Sequence, residues 1–387
     1  MKDVYLVANA RTPFGKFNGA LKSYSPLDLA SFALKGMLSK INLDPTEIEG
    51  LFLGNVLSSG VGQNLARQVA LKAGMREKSL ATTINEVCGS SLKAVRLAQA
   101  QMIIGDLDLV AVGGVESMSR APFLIPRHEV KADNPTYRDS LQVDGLEDAF
   151  SHQAMGMTAE NVAETFKISR REQDEFSFFS HDKAYSAVKN GWFSDEILPI
   201  KTPNGILQHD EPIRSDTSLE VLSRLKPVFK PDGTVTAGNA SPLSDGAAML
   251  LLATQEKVDS LGLTPIAHLG DYAEVGIDPD IMGYGPVAAI QKLLTQTHSK
   301  ITDFDAIEIN EAFASSVLAV AQALKLDTHK LNPAGGAIAL GHPLGATGAR
   351  LIGAAMNDLI QYNGSRALVS LCIGGGLAIA FEIRRLR

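Results

Sequence analysis

Two stretches far apart in the chain carry the same pattern: an Ala- and Leu-rich helical run, a turn, a short apolar strand and a Gly-Gly end. The first copy falls at 92–114 and the second at 351–375. The interval from Leu109 to Leu368 nearly equals that from Asn55 to Asn310, where an apolar strand ends in Asn both times. Two landmarks with matching offsets predict a duplicated βα half, with extra chain between the copies.

Local signals support the alternation. Residues 4–8 read as a strand, and Ser25-Pro26-Leu27-Asp28 as a helix start in which Ser caps, Pro fits the first turn and Asp complements the dipole. Apolar residues then recur at helical spacing. Residues 64–73 read as helix, 82–84 as strand and 90–104 as a long helix after Cys88-Gly89. From 117 to 242 the texture changes. Nine prolines fall there, and one helix stands out, opening at Ser169 with Glu172 three residues on and closing near Asn190-Gly191 with a left-handed cap. This span reads as an insertion or lid. After Pro265 the alternation returns, with a strand at 306–309, helices at 311–325 and 348–362, and a strand at 368–371 that ends just before Cys372. The expected layout is 1–116 plus 243–265 as a first half, 117–242 as an inserted loop domain and 266–387 as a second half.

At 387 residues and 45% hydrophobic content, the chain can bury a large core. Its net charge of −7, without Lys or Arg runs, points away from nucleic acid. Apolar stretches are broken within about 10 residues, too short for a membrane span. The start, MKDVYLVANARTPFGKF, reads as a first strand and not as a signal peptide. Two cysteines, Cys88 and Cys372, make no disulfide framework, and a cytoplasmic protein is expected.

Cys88 sits at a strand-to-helix turn. The helix after it aims free N–H groups at the sulfur, which predicts a thiol pKa below the usual value of about 8.5. Gly89, Ser90 and Ser91 are small enough to let a carbonyl approach, so Cys88 reads as an acyl acceptor. Cys372 holds the matching place in the second copy. Gly374, Gly375 and Gly376 after it can bring backbone N–H donors to an oxyanion. Both strand ends are expected to meet at one site. His342, bracketed by Gly341, Pro343 and Gly345 before a helix, is poised to face a cleft, whereas the other seven histidines lie among polar residues or loops. Asn310 closes a strand, where its amide could hold a water or an oxygen, cap the next helix, or do both. The chain has no phosphate-loop signature, no G-x-S-x-G and no zinc spacing, and Gly374-Gly375-Gly376-Leu377-Ala378-Ile379 misses the dinucleotide pattern.

These residues resemble the thiolase family. The resemblance is carried by Asn85-Glu86-Val87-Cys88-Gly89-Ser90, Val112-Gly113-Gly114-Val115-Glu116-Ser117-Met118-Ser119, Gly156-Met157-Thr158-Ala159-Glu160-Asn161-Val162, TVTAGNAS at 234–241, Asn310-Glu311-Ala312-Phe313-Ala314, 335–348 and Cys372-Ile373-Gly374-Gly375-Gly376. It runs end to end. It implies two βαβαβαββ halves in five αβαβα layers, with a CoA-binding loop domain inserted. It also implies roles. Cys88 takes the acyl group from an acyl-CoA. His342 activates Cys88 and, with a water on Asn310, stabilises the enolate of the second thioester. Cys372 exchanges the proton at C2, and the N–H groups of Cys88 and Gly374 form the oxyanion hole. Ser241, Met157, Met282, Ala312 and Phe313 are implied for coenzyme A. No metal and no tightly bound cofactor is expected. The implied partners are acyl-CoA and CoA, with no nucleic acid and no membrane, and the implied assembly is a homodimer or homotetramer.

The implied activity is reversible Claisen condensation of acetyl-CoA with acyl-CoA, or thiolysis of 3-ketoacyl-CoA, with acetyl-CoA C-acetyltransferase the first reading. The alternative is a longer-chain 3-ketoacyl-CoA thiolase of fatty-acid β-oxidation. A ketoacyl-synthase-type condensing enzyme would pair one Cys with two His, or with His and Asn, and the second cysteine opposes it. A non-enzymatic CoA- or lipid-binding relative would lack one of Cys88, Asn310, His342 and Cys372, and all four are present. Departures from the family pattern bear on the acyl chain: Ser91 replaces the usual Gly, and Ala154 stands where short-chain biosynthetic members often have His. Pro242, Ser244, Ala334 and Ala378 also depart.

Overall fold

In the computed structural model, which describes residues 2–386, the chain opens with β1 (Val4–Arg11), α1 (Pro26–Lys40), β2 (Gly50–Gly54), α2 (Leu65–Ala73), β3 (Leu80–Ile84), α3 (Ser90–Ile104) and β4 (Leu109–Ser117). Helices α4 (Met155–Phe166) and α5 (Arg170–Lys189) follow, and then β5 (Ser244–Thr254). The remainder supplies β6 (Ala267–Gly276), α6 (Gly285–Thr297), β7 (Ala306–Ile309), α7 (Ala314–Leu324), α8 (Thr347–Gln361), β8 (Arg366–Ile373) and β9 (Leu377–Arg385).

The predicted caps form. Ser25 accepts the Asp28 N–H while the Asp28 carboxylate accepts the Ser25 N–H, and Ser169 and Glu172 repeat that box at the head of α5. The left-handed cap expected at Asn190-Gly191 forms at Gly191, with Asn190 at φ −88°. Two expectations shift. The helix expected at 311–325 starts at Ala314, because the buried Glu311 carboxylate is drawn aside by Ser180, Asn332 and the Ile338 N–H. Asn310 therefore caps no helix. Strand β8 runs on to Ile373, so Cys372 lies inside it.

Strand order explains the repeat. The first half pairs β3-β2-β4-β5-β1, with β2 parallel to both β3 and β4 and β5 antiparallel to β4 and β1. The second pairs β7-β8-β9-β6, again with parallel pairing at the outer end and antiparallel strands toward the join. Tyr5 and Leu6 of β1 pair with His268 and Ala267 of β6, joining the two runs.

Alternation along the strands then fixes the layers. Leu109 and Ala111 of β4 pack outward against Leu29, Ala33 and Met37 of α1 and Ala66 and Val69 of α2. Val110 and Val112 pack inward with Leu92, Val95, Ala98 and Met102 of α3. The same inner core takes Leu351, Ile352, Ala355 and Leu359 of α8, and Val369 and Leu371 of β8. Leu368 of β8 faces the other way, onto Ile290 and Leu293 of α6 and Val317 and Val320 of α7. Helices α3 and α8 thus lie between the two sheets, and the order is αβαβα. Each fully buried Leu or Val stabilises this stack by about 1.5–3 kcal/mol.

At the carboxyl ends of β2 and β4 the halves touch backbone to backbone. A Cβ on Gly114 would lie 1.8 Å from the Gly345 carbonyl oxygen, so no larger residue fits there. No helix among the described residues is long and apolar enough to cross a membrane.

Candidate active site

Cys88 sits on a strained elbow between β3 and α3. Val87, a β-branched residue, is held at φ 47°, a conformation that costs of order 1–3 kcal/mol and needs support from its surroundings. That support is local. The Asn85 side-chain oxygen accepts the Val87 N–H at 3.0 Å. The Ser90 hydroxyl accepts the Glu86 N–H at 2.9 Å and donates to the Val87 carbonyl at 2.7 Å. Ile373 presses on the elbow from the second half, for a Cβ on Gly89 would lie 2.3 Å from its Cδ1.

The backbone N–H groups of Gly374 and of Cys88 itself lie near the Cys88 sulfur and favour its thiolate. The predicted fall in thiol pKa is nonetheless reversed: burial pushes Cys88 up to about 11, outweighing those two donors, and the Glu116 charge adds to the rise. Burial likewise pushes Cys372 up to about 12, with the Cys88 sulfur close enough to raise it further. Both sulfurs are therefore thiols at neutral pH, and Cys88 needs a base.

His342 is placed to be that base. Thr347 Oγ1 donates to the Pro343 carbonyl at 3.0 Å, so at 2.6 Å it accepts from His342 Nδ1. Nε2 is then unprotonated, and it accepts from Asn310 Nδ2 at 3.3 Å. The imidazole is neutral, because burial, and after it the positive charge of Arg350, hold its pKa down at about 3. The His342 N–H donates to Ser244 Oγ at 3.3 Å. The Asn310 backbone N–H donates to the Ser370 carbonyl on β8, and its buried Oδ1 has no partner among the described residues. Such an atom is open to a water or a substrate donor.

Cys88 and His342 open on a cavity of about 510 Å³, whose lining also includes Ser241, Met282, Ala312 and Phe313 but not Asn310 or Gly374. Cys372 lies directly behind, packed with Met282 and Ala312 and against Met155 and Phe313. Met157 does not line the cavity. Met155 and Ala154 do, because residues two apart on a helix point about 200° apart. Arg214, whose position carried no signal in the sequence, supplies the one permanently charged cation of the lining among the described residues.

Two departures find a structural reason. The Ser91 hydroxyl is fully buried away from the cavity and accepts the Ala349 N–H at 3.0 Å, tying the start of α3 to the start of α8. Ser244 is the acceptor for His342 described above. Nothing in the structure explains Ala334.

A nucleophilic thiol, a neutral imidazole base, a second thiol and two N–H donors suit acyl transfer through an acyl-cysteine. The comparisons with known proteins agree. Residues 4–256 match the family model "Thiolase, N-terminal domain", and residues 263–385 match "Thiolase, C-terminal domain". A probable acetyl-CoA acyltransferase of Staphylococcus aureus strain COL is 44% identical, with all of both chains covered. A human mitochondrial 3-ketoacyl-CoA thiolase superposes with a TM-score of 0.96 at 41% identity, covering 100% of this chain and 99% of that one. Its complex with CoA matches at the same TM-score and identity, over 100% and 98% of the chains. The Bacillus anthracis acetyl-CoA acetyltransferase gives 0.96 at 39% identity, over 100% and 99%. A duplicated five-layer fold, two thiols and an imidazole at one cavity, and full-length likeness lead to one conclusion: the chain belongs to the thiolase family.

Proposed function

We propose that this chain moves acyl groups between coenzyme A thioesters, with acetyl-CoA C-acetyltransferase as the primary activity. The observation that carries the reading is Cys88 and His342 opening on one cavity, with Cys372 and the Gly374 N–H close to the Cys88 sulfur.

In the thiolytic direction, Cys88 Sγ attacks the 3-keto carbonyl and its proton passes to His342 Nε2. The oxyanion faces the N–H groups of Cys88 and Gly374. The C2–C3 bond breaks, its electron pair stays on C2 as an enolate, and Cys372 gives C2 its proton. A thiol with a pKa near 12 is fully protonated for that step. CoA then attacks acyl-Cys88 and gives its proton to the Cys372 thiolate. Cys88 leaves and recovers its proton from His342. Condensation is the reverse. The orphan Asn310 Oδ1 suits a water that helps His342 hold the enolate oxygen.

Coenzyme A enters from the side of the inserted segment 117–242, which supplies Gln142, Met155, Arg214 and Phe229 to the lining. The Arg214 guanidinium suits a phosphate group of CoA. We assign 1–116 with 243–265, and 266–387, to the two halves. Strand β3 ends the sheet with β2 alone beside it and exposes Leu80. An open edge of this kind favours assembly into a homo-oligomer, in a cytoplasmic setting. Longer 3-ketoacyl-CoA remains the second reading, because Ala154 leaves open space in the lining where a bulkier side chain would fill it.

Mass spectrometry after mixing with acetyl-CoA tests the assignment. Wild type gains one acetyl group on Cys88, Cys88→Ala gains none, and Cys372→Ala gains it but condenses nothing. Equal loss of acylation in both variants overturns the roles given. Steady-state rates from acetoacetyl-CoA through longer 3-ketoacyl-CoA decide the chain length.

A further inference from the structure

Glu116, near the end of β4, is a buried carboxylic side chain with no cation beside it among the described residues. Four N–H donors compensate its charge. Oε1 accepts Asn55 Nδ2 at 2.9 Å and the Leu57 N–H at 3.0 Å. Oε2 accepts the Val56 N–H at 3.1 Å and the Gly345 N–H at 2.9 Å. Both oxygens meet N–H donors, which favours the carboxylate against the burial that raises its pKa to about 7. The four donors come from two places. Val56 and Leu57 pack in the apolar wall beside Cys88, together with Met118 and Leu344. Gly345 belongs to the other half of the chain, three residues after His342. One side chain therefore ties the wall of the nucleophile to the loop of the base, where Gly114 and Gly345 already meet too closely for any Cβ. Asn55 is the positional counterpart of Asn310. In one half that amide holds the imidazole, and in the other it holds the carboxylate that holds the loop of the imidazole.

We propose that Glu116 is a positioning residue for acyl transfer, whose carboxylate keeps Cys88 and the His342 loop in register. Its charge also opposes ionisation of Cys88, after burial. This rests on the acyl-transfer reading above. The titratable groups facing Glu116 are Cys88, across the apolar wall, and Asp245 on β5.

The discriminating variants are Glu116→Gln and Glu116→Asp. Gln removes the charge and turns an NH2 toward two of the four donors. Its Cys88 is expected to react with iodoacetamide at lower pH, the midpoint falling by about 0.5–1 unit, while kcat for acetoacetyl-CoA thiolysis drops about 10- to 100-fold and KM stays within about twofold. Asp keeps the charge but withdraws it by one methylene. It is expected to leave the midpoint unchanged and to lower kcat less. An alkylation midpoint and kcat unchanged in folded Glu116→Gln overturn the proposal, as does a midpoint that moves equally in both variants. Should neither fold, Asn55→Ala, which removes one donor and keeps the charge, is read instead. A several-fold lower kcat at unchanged KM supports the proposal, and an unchanged kcat overturns it. Alkylation needs no turnover, so a wild type that alkylates at Cys88 but performs no thiolysis defeats the functional reading separately.

Discussion

Asn310 donates its side-chain N–H to Nε2 of His342 at 3.3 Å, on the nitrogen opposite the one that Thr347 holds at 2.6 Å. The two contacts together fix one tautomer, with the proton on Nδ1 and the lone pair toward Cys88's cavity. A neutral imidazole held this way is a base only at Nε2.

Thr347→Val tests that tautomer. It keeps the shape but removes the acceptor for Nδ1–H, leaving a buried donor unpaired at a cost of about 1–3 kcal/mol. The imidazole can then flip or change tautomer. The rate of acetyl-Cys88 formation is expected to fall about 10- to 100-fold, with KM little changed, in single-turnover measurements. An acylation rate equal to wild type would show that Nδ1 needs no partner.

Ser91→Ala separates fold from specificity. The Ser91 hydroxyl faces the Ala349 N–H and not the cavity. Its loss is expected to destabilise the protein by about 1 kcal/mol in urea unfolding. The ratio of rates on acetoacetyl-CoA and longer substrates should stay as it is. A changed ratio would place Ser91 at the acyl group after all.

The contrast between Ser91 and Met155 shows what the sequence made legible. Periodicity, caps and the matched offsets of Asn55 with Asn310 and Leu109 with Leu368 located both halves, because hydrophobic alternation is a local property and duplication repeats it. The elbow at Cys88 and the glycine-bracketed His342 were visible for the same reason. Side-chain direction was not. The family resemblance implied Met157 for the ligand, yet the first turn of α4 turns Met155 into the cavity. It left Ser91 beside the nucleophile, yet α3 turns it onto α8. The thiol pKa was misjudged because a helix N-terminus is readable in sequence and burial by the opposite half is not. Arg214 and Glu116 depend on contacts between distant segments, which no local pattern announces.

Gly145→Val probes the acyl side of the cavity. Gly145 lines the cavity, and a Cβ there would lie 3.2 Å from Leu344 Cδ1 and 3.3 Å from Leu57 Cδ2, in the wall beside Cys88. Added bulk narrows the space nearest the sulfur. Activity on 3-ketohexanoyl-CoA and longer substrates is expected to fall about 10-fold or more relative to acetoacetyl-CoA, since each excluded methylene is worth about 1 kcal/mol. An equal fall on all chain lengths would mean that the acyl chain leaves the sulfur by another route.

The acid limb of the stability curve follows from His342. Its folded pKa of about 3 lies below the unfolded value of about 6.5. Between those values the unfolded chain binds a proton that the folded chain does not, so stability rises with pH and is lost as pH falls below about 6.5. The slope for one such group is about 1.4 kcal/mol per pH unit. Glu116 acts in the opposite sense over part of the window, because burial raises its carboxyl to about 7, so the wild-type curve alone is a composite. The difference between wild type and His342→Gln isolates the imidazole. Urea unfolding from pH 4 to 7 is expected to show the variant losing less stability on acidification, by about 1 kcal/mol or more per unit near pH 5. Parallel curves would mean that His342 becomes charged in the folded protein, and an imidazolium in that cavity could not take the proton from Cys88.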